Sequence, residues 1–123
     1  MAAYTVAELQ HLMEESERLW NGGDREAWLA LWRAAVPGEL VLESPVGAAP
    51  RRGFEAARVA VWDEFQPTKI HTRQLIVCGQ SVAALTENVV SVDGEPLSIF
   101  SIDTYDFDSA GNCYERNYVS IPS

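Results

Sequence analysis

Asp103 is the residue whose chemistry fits its surroundings least. It lies within Pro96–Phe107, PLSIFSIDTYDF, a stretch that alternates as a long strand. Leu97, Ile99, Ser101, Asp103 and Tyr105 fall on one face, and Ser98, Phe100, Ile102 and Thr104 on the other. Large apolar groups on both faces predict a strand covered on both sides. A carboxylate at mid-strand is then costly to desolvate unless it is paired, hydrogen-bonded or protonated. Asp103 is therefore either a structural aspartate tied to a neighbouring strand, or a cavity carboxyl with a shifted pKa that moves protons.

Few other residues offer chemistry by type and spacing. His11 and His71 are far apart in sequence and form no HExxH-like pattern. Cys78 and Cys113 have neither metal-type spacing nor a disulfide framework, and read as free thiols in a reducing cytoplasm. No metal and no cofactor are expected. The net charge of −9, from eighteen acidic and nine basic residues, argues against a nucleic-acid partner, and Arg51–Arg52 is the only basic cluster. No apolar run approaches the roughly 20 residues of a membrane span. The opening MAAYTVAEL lacks the regions of a signal peptide. These features predict one cytoplasmic domain over residues 1–123, with no membrane partner.

The elements that must position Asp103 are legible in order. Thr5 and Glu8 form a capping box before a helical stripe of Val6, Leu9, Leu12, Met13, Leu19 and Trp20. Asn21-Gly22-Gly23 stops that helix, and Asp24 caps a second one with Ala27, Trp28, Leu31, Trp32 and Ala35 on one face. Glu39–Ser44 reads as a short strand, VGAAPRRG as a loop, and Phe54–Phe65 as a third helix. Strands follow at Ile70–Cys78, Val82–Val92, the Pro96 stretch and Cys113–Ile121. Asp93-Gly94 and Asp108–Asn112 turn two hairpins. Helices early and an antiparallel meander late predict an α+β fold with helices on one face of a curved sheet.

Three segments resemble the ketosteroid isomerase branch of the cone-shaped fold shared by nuclear transport factor 2 (NTF2-like) and SnoaL-type polyketide cyclases. They are Asn21-Gly22-Gly23-Asp24 with Ala27, Trp28 and Leu31; Glu43-Ser44-Pro45-Val46-Gly47 with Gly53; and Ile102–Phe107 with Gly111. The resemblance implies three N-terminal helices on a curved, mainly antiparallel sheet, and proton-shuttle chemistry in the cone. In that family one aspartate removes a proton beside a ketone, while a tyrosine and a protonated aspartate donate hydrogen bonds to the enolate; its raised aspartate pKa is a well-known case rather than a deduction from this sequence. Asp103 matches the hydrogen-bonding aspartate. Ser44 stands at the base position and Ser16 at the tyrosine position.

Taking Asp103 as inward places Ile99, Ser101 and Tyr105 in the cavity. Hairpin spacing of the family kind adds Ala84, Thr86, Asn88 and Val90, then Tyr114, Arg116, Tyr118 and Ser120. Trp20, Trp28, and Val61 or Trp62 supply apolar walls. Arg116 beside Asp103 would lower the carboxyl pKa and keep it ionised. Tyr118 would supply the hydroxyl that Ser16 does not. Two readings follow. One is an enzyme, with Asp103, Arg116 and Tyr118 catalytic, acting by proton transfer on a small, largely apolar carbonyl, enone or epoxide, including water activation as in epoxide opening. The other is a non-catalytic binder of a steroid- or polyketide-like ligand, or an accessory subunit. Phe100 and Ile102, on the face the helices do not reach, predict a homodimer.

Overall fold

The structure, a computed structural model, describes residues 3–120. Helix α1 (Val6–Asn21) begins at the expected capping box. Thr5 Oγ1 accepts from the Glu8 amide at 3.1 Å, and Glu8 Oε1 accepts from the Thr5 amide at 2.8 Å. Its buried stripe is Leu9, Leu12, Met13, Leu19 and Trp20. The Asn21 side chain fastens the helix end to the sheet, donating to the Ile70 carbonyl at 2.7 Å and accepting from the Ile70 amide at 2.9 Å. Helix α2 (Arg25–Ala35) is capped by Asp24 and buries Trp28, Leu29 and Trp32.

The third helical segment differs from the expected continuous α-helix. Glu55–Val59 is a π turn, followed by α3 (Ala60–Phe65). Widened turns of this kind recur at functional sites, and this one carries the buried Arg58. Arg51–Arg52, read as loop, forms a two-residue strand.

The sheet holds β1 (Leu40–Glu43), β2 (Arg51–Arg52), β3 (Lys69–Cys78), β4 (Ser81–Val92), β5 (Glu95–Phe107) and β6 (Cys113–Val119), in the order β2-β1-β6-β5-β4-β3. Among the described residues only β1 and β6 run parallel; every other pair is antiparallel. The expected end of β6 at Ile121 lies outside the described residues. Strand β3 bulges between Thr72 and Gln74, which bends its edge of the sheet. The helices cover one face only. Phe100, Ile102, Ile76 and Tyr118 stay exposed on the other, so in the single chain β5 is not covered on both sides. Among the described residues no helix is long and apolar enough to cross a membrane.

Candidate active site

Between the helices and the inner face of the sheet lies a cavity of about 450 Å³. Its sheet wall comes from a register that the first hairpin sets. Asp93 and Gly94, both at positive φ, make a two-residue turn, so Val92 pairs with Glu95 and Ala84 with Asp103. Ala84, Thr86, Asn88 and Val90 therefore face the cavity beside Ile99, Ser101, Asp103 and Tyr105, as expected. Trp20, Trp28 and Val61 form apolar wall, and Ser16 and Ser44 also line it. Trp62 does not. It packs behind Trp20 and Trp28, with ring centroids at 5.0 and 5.4 Å.

The second hairpin overturns the expected parity of β6. Phe107 pairs with Cys113, leaving a five-residue turn, and Asp103 pairs with Asn117 rather than Arg116. The Asp108 carboxylate builds that turn by accepting from the amides of Ala110 and Asn112, each at 2.9 Å. The expected inward set rests on family spacing counted on from Gly111, and a one-residue difference in pairing exchanges the two faces of a strand. Glu115, Asn117 and Val119 consequently face inward. Tyr118 is exposed on the outer face, and Ser120 is exposed past the end of β6. Arg116 also points outward, 3.4 Å from Glu43. Neither Arg116 nor Tyr118 lines the cavity, so neither can take the catalytic part expected of it.

Asp103 is left among neutral donors. Asn117 Nδ2 donates to its Oδ1 at 3.0 Å, and the hydroxyls of Thr86 and Ser101 stand near enough to favour its charged form. These lower its pKa, but burial and the nearby Glu115 raise it further. Burial is the larger cause, and the net value is about 6. The expectation of a pKa below the ordinary carboxylate range, which rested on Arg116, is reversed.

Asn117 Nδ2 also donates to Glu115 Oε2 at 3.0 Å, so one amide bridges the two carboxyls. Glu115 meets Arg58 at 2.8 Å, with side chains 9% and 4% exposed. The guanidinium lies 4.1 Å over the Trp32 ring. Arg58 Nε is buried without a hydrogen-bond partner, and Glu115 Oε1 has the Arg58 contact alone, which makes this ion pair costly to hold. Asn88 completes the polar stripe, donating to the Ile99 carbonyl at 2.9 Å and to Ser101 Oγ at 3.0 Å.

Arg58, Glu115 and Asn117 were missed from the sequence. Arg58 had a visible signal, since it interrupts the apolar face formed by Phe54, Val61, Trp62 and Phe65. An arginine there needs a buried partner. Glu115 and Asn117 had a signal too: with Asp108–Asn112 as the turn, Phe107 faces Cys113 and Asp103 faces Asn117, a pairing that the family spacing counted from Gly111 displaced by one residue.

Three helices folded over a curved, mainly antiparallel six-stranded sheet, with a cavity between, define the cone-shaped NTF2-like, SnoaL-like fold. The solved structures that share it include SalBIII, described as an epoxide hydrolase/cyclase-like enzyme in pyran ring formation of the polyether salinomycin. It superposes with a TM-score of 0.74 at 20% identity, covering 91% of this chain and 90% of SalBIII. RV0760c from Mycobacterium tuberculosis superposes with a TM-score of 0.70 at 18% identity, covering 91% and 90% of the two chains. The sequence matches no protein-family model and no curated protein.

Proposed function

We propose that this protein is an acid–base enzyme for a small, largely apolar carbonyl, enone or epoxide compound, and that Asp103 carries the proton. The observation behind this is a half-buried carboxyl, pushed up to about 6, in the wall of a mainly apolar cavity. Such a group is neutral often enough near pH 7 to donate to a substrate oxygen, and its conjugate base is strong enough to accept a proton back. Apolar walls from Trp20, Trp28 and Ile99 hold the hydrocarbon part of the substrate, and Thr86, Ser101 and Asn117 orient the carboxyl. The likeness to SalBIII carries the fold only, but its epoxide chemistry names the first substrate class to try: epoxides that open to a diol or close onto a hydroxyl of the same molecule.

The test is turnover of a hydroxy-epoxide and a β,γ-unsaturated ketone by wild type and by Asp103→Asn. The asparagine keeps shape and hydrogen bonding but carries no transferable proton. A drop of about 10²–10⁴-fold with unchanged ligand affinity is expected. Equal turnover by both forms would exclude Asp103.

Ser44 favours a second reading, that of a binding protein. It lines the cavity where the family resemblance has a catalytic carboxylate, so one half of an isomerase's acid–base pair is absent. Tight ligand binding with no turnover of either substrate would select this reading.

A homodimer through the outer sheet face belongs to the proposal. Phe100, Ile102, Leu85 and Tyr118 stand exposed on adjacent strands. Two of the charged pairs around them are closed within the chain, Arg73 with Glu87 and Arg116 with Glu43. A face that is apolar at its centre suits a second copy better than a charged partner.

A further inference from the structure

Asn88 stands half-buried on the inner face of β4, where its neighbours in the cavity wall, Val90 and Ile99, are apolar. Its amide nitrogen carries two protons, and both are spent on the protein. Nδ2 donates to the Ile99 carbonyl at 2.9 Å and to Ser101 Oγ at 3.0 Å. A backbone carbonyl only accepts, so the amide cannot turn over without losing that bond. Among the described residues nothing donates to Asn88 Oδ1. Nor is Oδ1 one of the side-chain atoms buried without a partner, so it opens on the cavity that Asn88 lines.

The other cavity asparagine is not fixed in this way. Asn117 Nδ2 also makes two bonds, to Asp103 Oδ1 and Glu115 Oε2, each at 3.0 Å. Those partners are carboxyls. A carboxyl that takes up a proton becomes a donor, and the Asn117 amide can then turn its oxygen to meet it. Asn88 has no such freedom, so its oxygen faces the cavity whatever the charge of Asp103. An amide oxygen that meets no donor in an apolar wall carries a cost that a ligand O–H or N–H removes.

We propose that Asn88 is an acceptor-only contact for the ligand, and that the ligand carries a hydroxyl or N–H apart from the group that meets Asp103. Same-face residues of a strand lie about 6–7 Å apart. Asn88 leans on Ser101, the same-face neighbour of Asp103. The donor therefore sits on a second functional group, away from the reacting oxygen. Under the enzymatic reading the substrate is then a hydroxylated carbonyl or epoxide compound, with two polar ends. The proposal rests on the reading of the cavity as the ligand site, but not on proton transfer by Asp103.

Three bicyclic probes of nearly one shape test this: indole, which only donates at its N–H; 1-indanone, which only accepts; and indene, which does neither. Binding is followed by NMR titration at pH 5, where Asp103 largely holds its proton and competes least for a donor. Wild type should bind indole roughly fivefold more tightly than indene, the net worth of one neutral hydrogen bond. The Asn88 side-chain amide resonances should shift further with indole than with indene. Asn88→Leu should lose the preference and keep indene affinity. Where that variant does not fold, Ser101→Ala supplies the test. It frees one N–H of Asn88, so 1-indanone should gain several-fold relative to indene when compared with wild type, and no gain would overturn the proposal. Asp103→Ala and Asn117→Ala should each retain the indole preference; its loss in either would move the acceptor role away from Asn88. A preference that survives Asn88→Leu would overturn the proposal. Equal binding of all three probes would overturn it and leave the cavity as the ligand site. Binding of none would overturn both. An indole preference confined to Asn88, with no turnover by wild type, would leave the proposal standing and sink only the enzymatic one.

Discussion

The two faces of the sheet each hold a carboxyl cluster, and they treat the carboxyl in opposite ways. On the inner face burial pushes Asp103 up to about 6. On the outer face the Gly47 amide, at 2.9 Å, and the Tyr114 hydroxyl, at 2.8 Å, hold Glu43 below the ordinary carboxylate range, with Arg116 nearby. Strand β6 serves both clusters with consecutive residues, Glu115 inward and Arg116 outward. The difference is what surrounds the carboxyl rather than what it is. Glu43 meets a backbone N–H, a phenol and a cation, which all favour its charge. Asp103 meets burial against the cavity wall and a second carboxylate, which oppose it. The inner cluster is the one we propose for proton transfer, and the outer one ties Gly47 to the sheet.

The largest effect should come from removing the inner proton. Asp103→Asn is expected to cut turnover by about 10²–10⁴-fold. Glu43→Gln should leave the rate near wild type, because Glu43 lies on the other face. Steady-state rates of both variants check this, and a larger loss for Glu43→Gln would reverse the comparison.

The two arginines should differ next. Arg58→Met strands a buried Glu115 and should cost about 3–5 kcal/mol in urea denaturation. Arg116 is half-exposed, so Arg116→Met should shift the midpoint little. Similar shifts would mean that the inner pair is not desolvated.

The pH dependence sharpens the same contrast. The Asp103 pKa rises from 3.8 to about 6 on folding. Between those values the native state holds a proton that the unfolded chain releases, so this group's contribution to stability falls as pH rises from about 4 to about 6, then levels. The loss is about 3 kcal/mol relative to Asp103→Asn. Glu43 has the opposite sign: its lowered pKa stabilises the fold above the ordinary carboxylate range, and that contribution is lost on acidification. Denaturation of wild type, Asp103→Asn and Glu43→Gln across pH 3–7 would separate the two. A flat difference for Asp103→Asn would show that its carboxyl is not buried in solution.

The smallest expected effect concerns the apolar part of the outer face. Phe100→Asp should turn a dimer into a monomer at micromolar concentration with little change in the fold. Sedimentation that finds wild type monomeric would remove the dimer.

Much of the architecture was legible because it depends on neighbours in sequence. The capping box at Thr5 and Glu8 and the cap at Asp24 place the first two helices through contacts three residues apart. Asp93-Gly94 is a turn whose composition states its length, and it set the inward residues of β4 and β5, including Thr86, Asn88, Ile99 and Ser101. Asp103 was conspicuous because a carboxylate is costly among Ile99, Ile102 and Tyr105.

Tertiary structure decided the rest. The turn Asp108–Asn112 was legible in the sequence, but the inward residues of β6 were counted from Gly111 by family spacing; the observed pairing of Phe107 with Cys113, with the Asp108 hydrogen bonds inside the turn, moves them by one residue. That single register put Asn117 and Glu115 in the cavity and sent Arg116 and Tyr118 outside. It thereby turned Asp103 from an expected ion-pair partner into a carboxyl with a raised pKa. A side chain's type is written in the sequence, but its charge state depends on which face it shares and with whom. Those partners come from strands and helices far apart in the chain, such as Arg58 and Glu115.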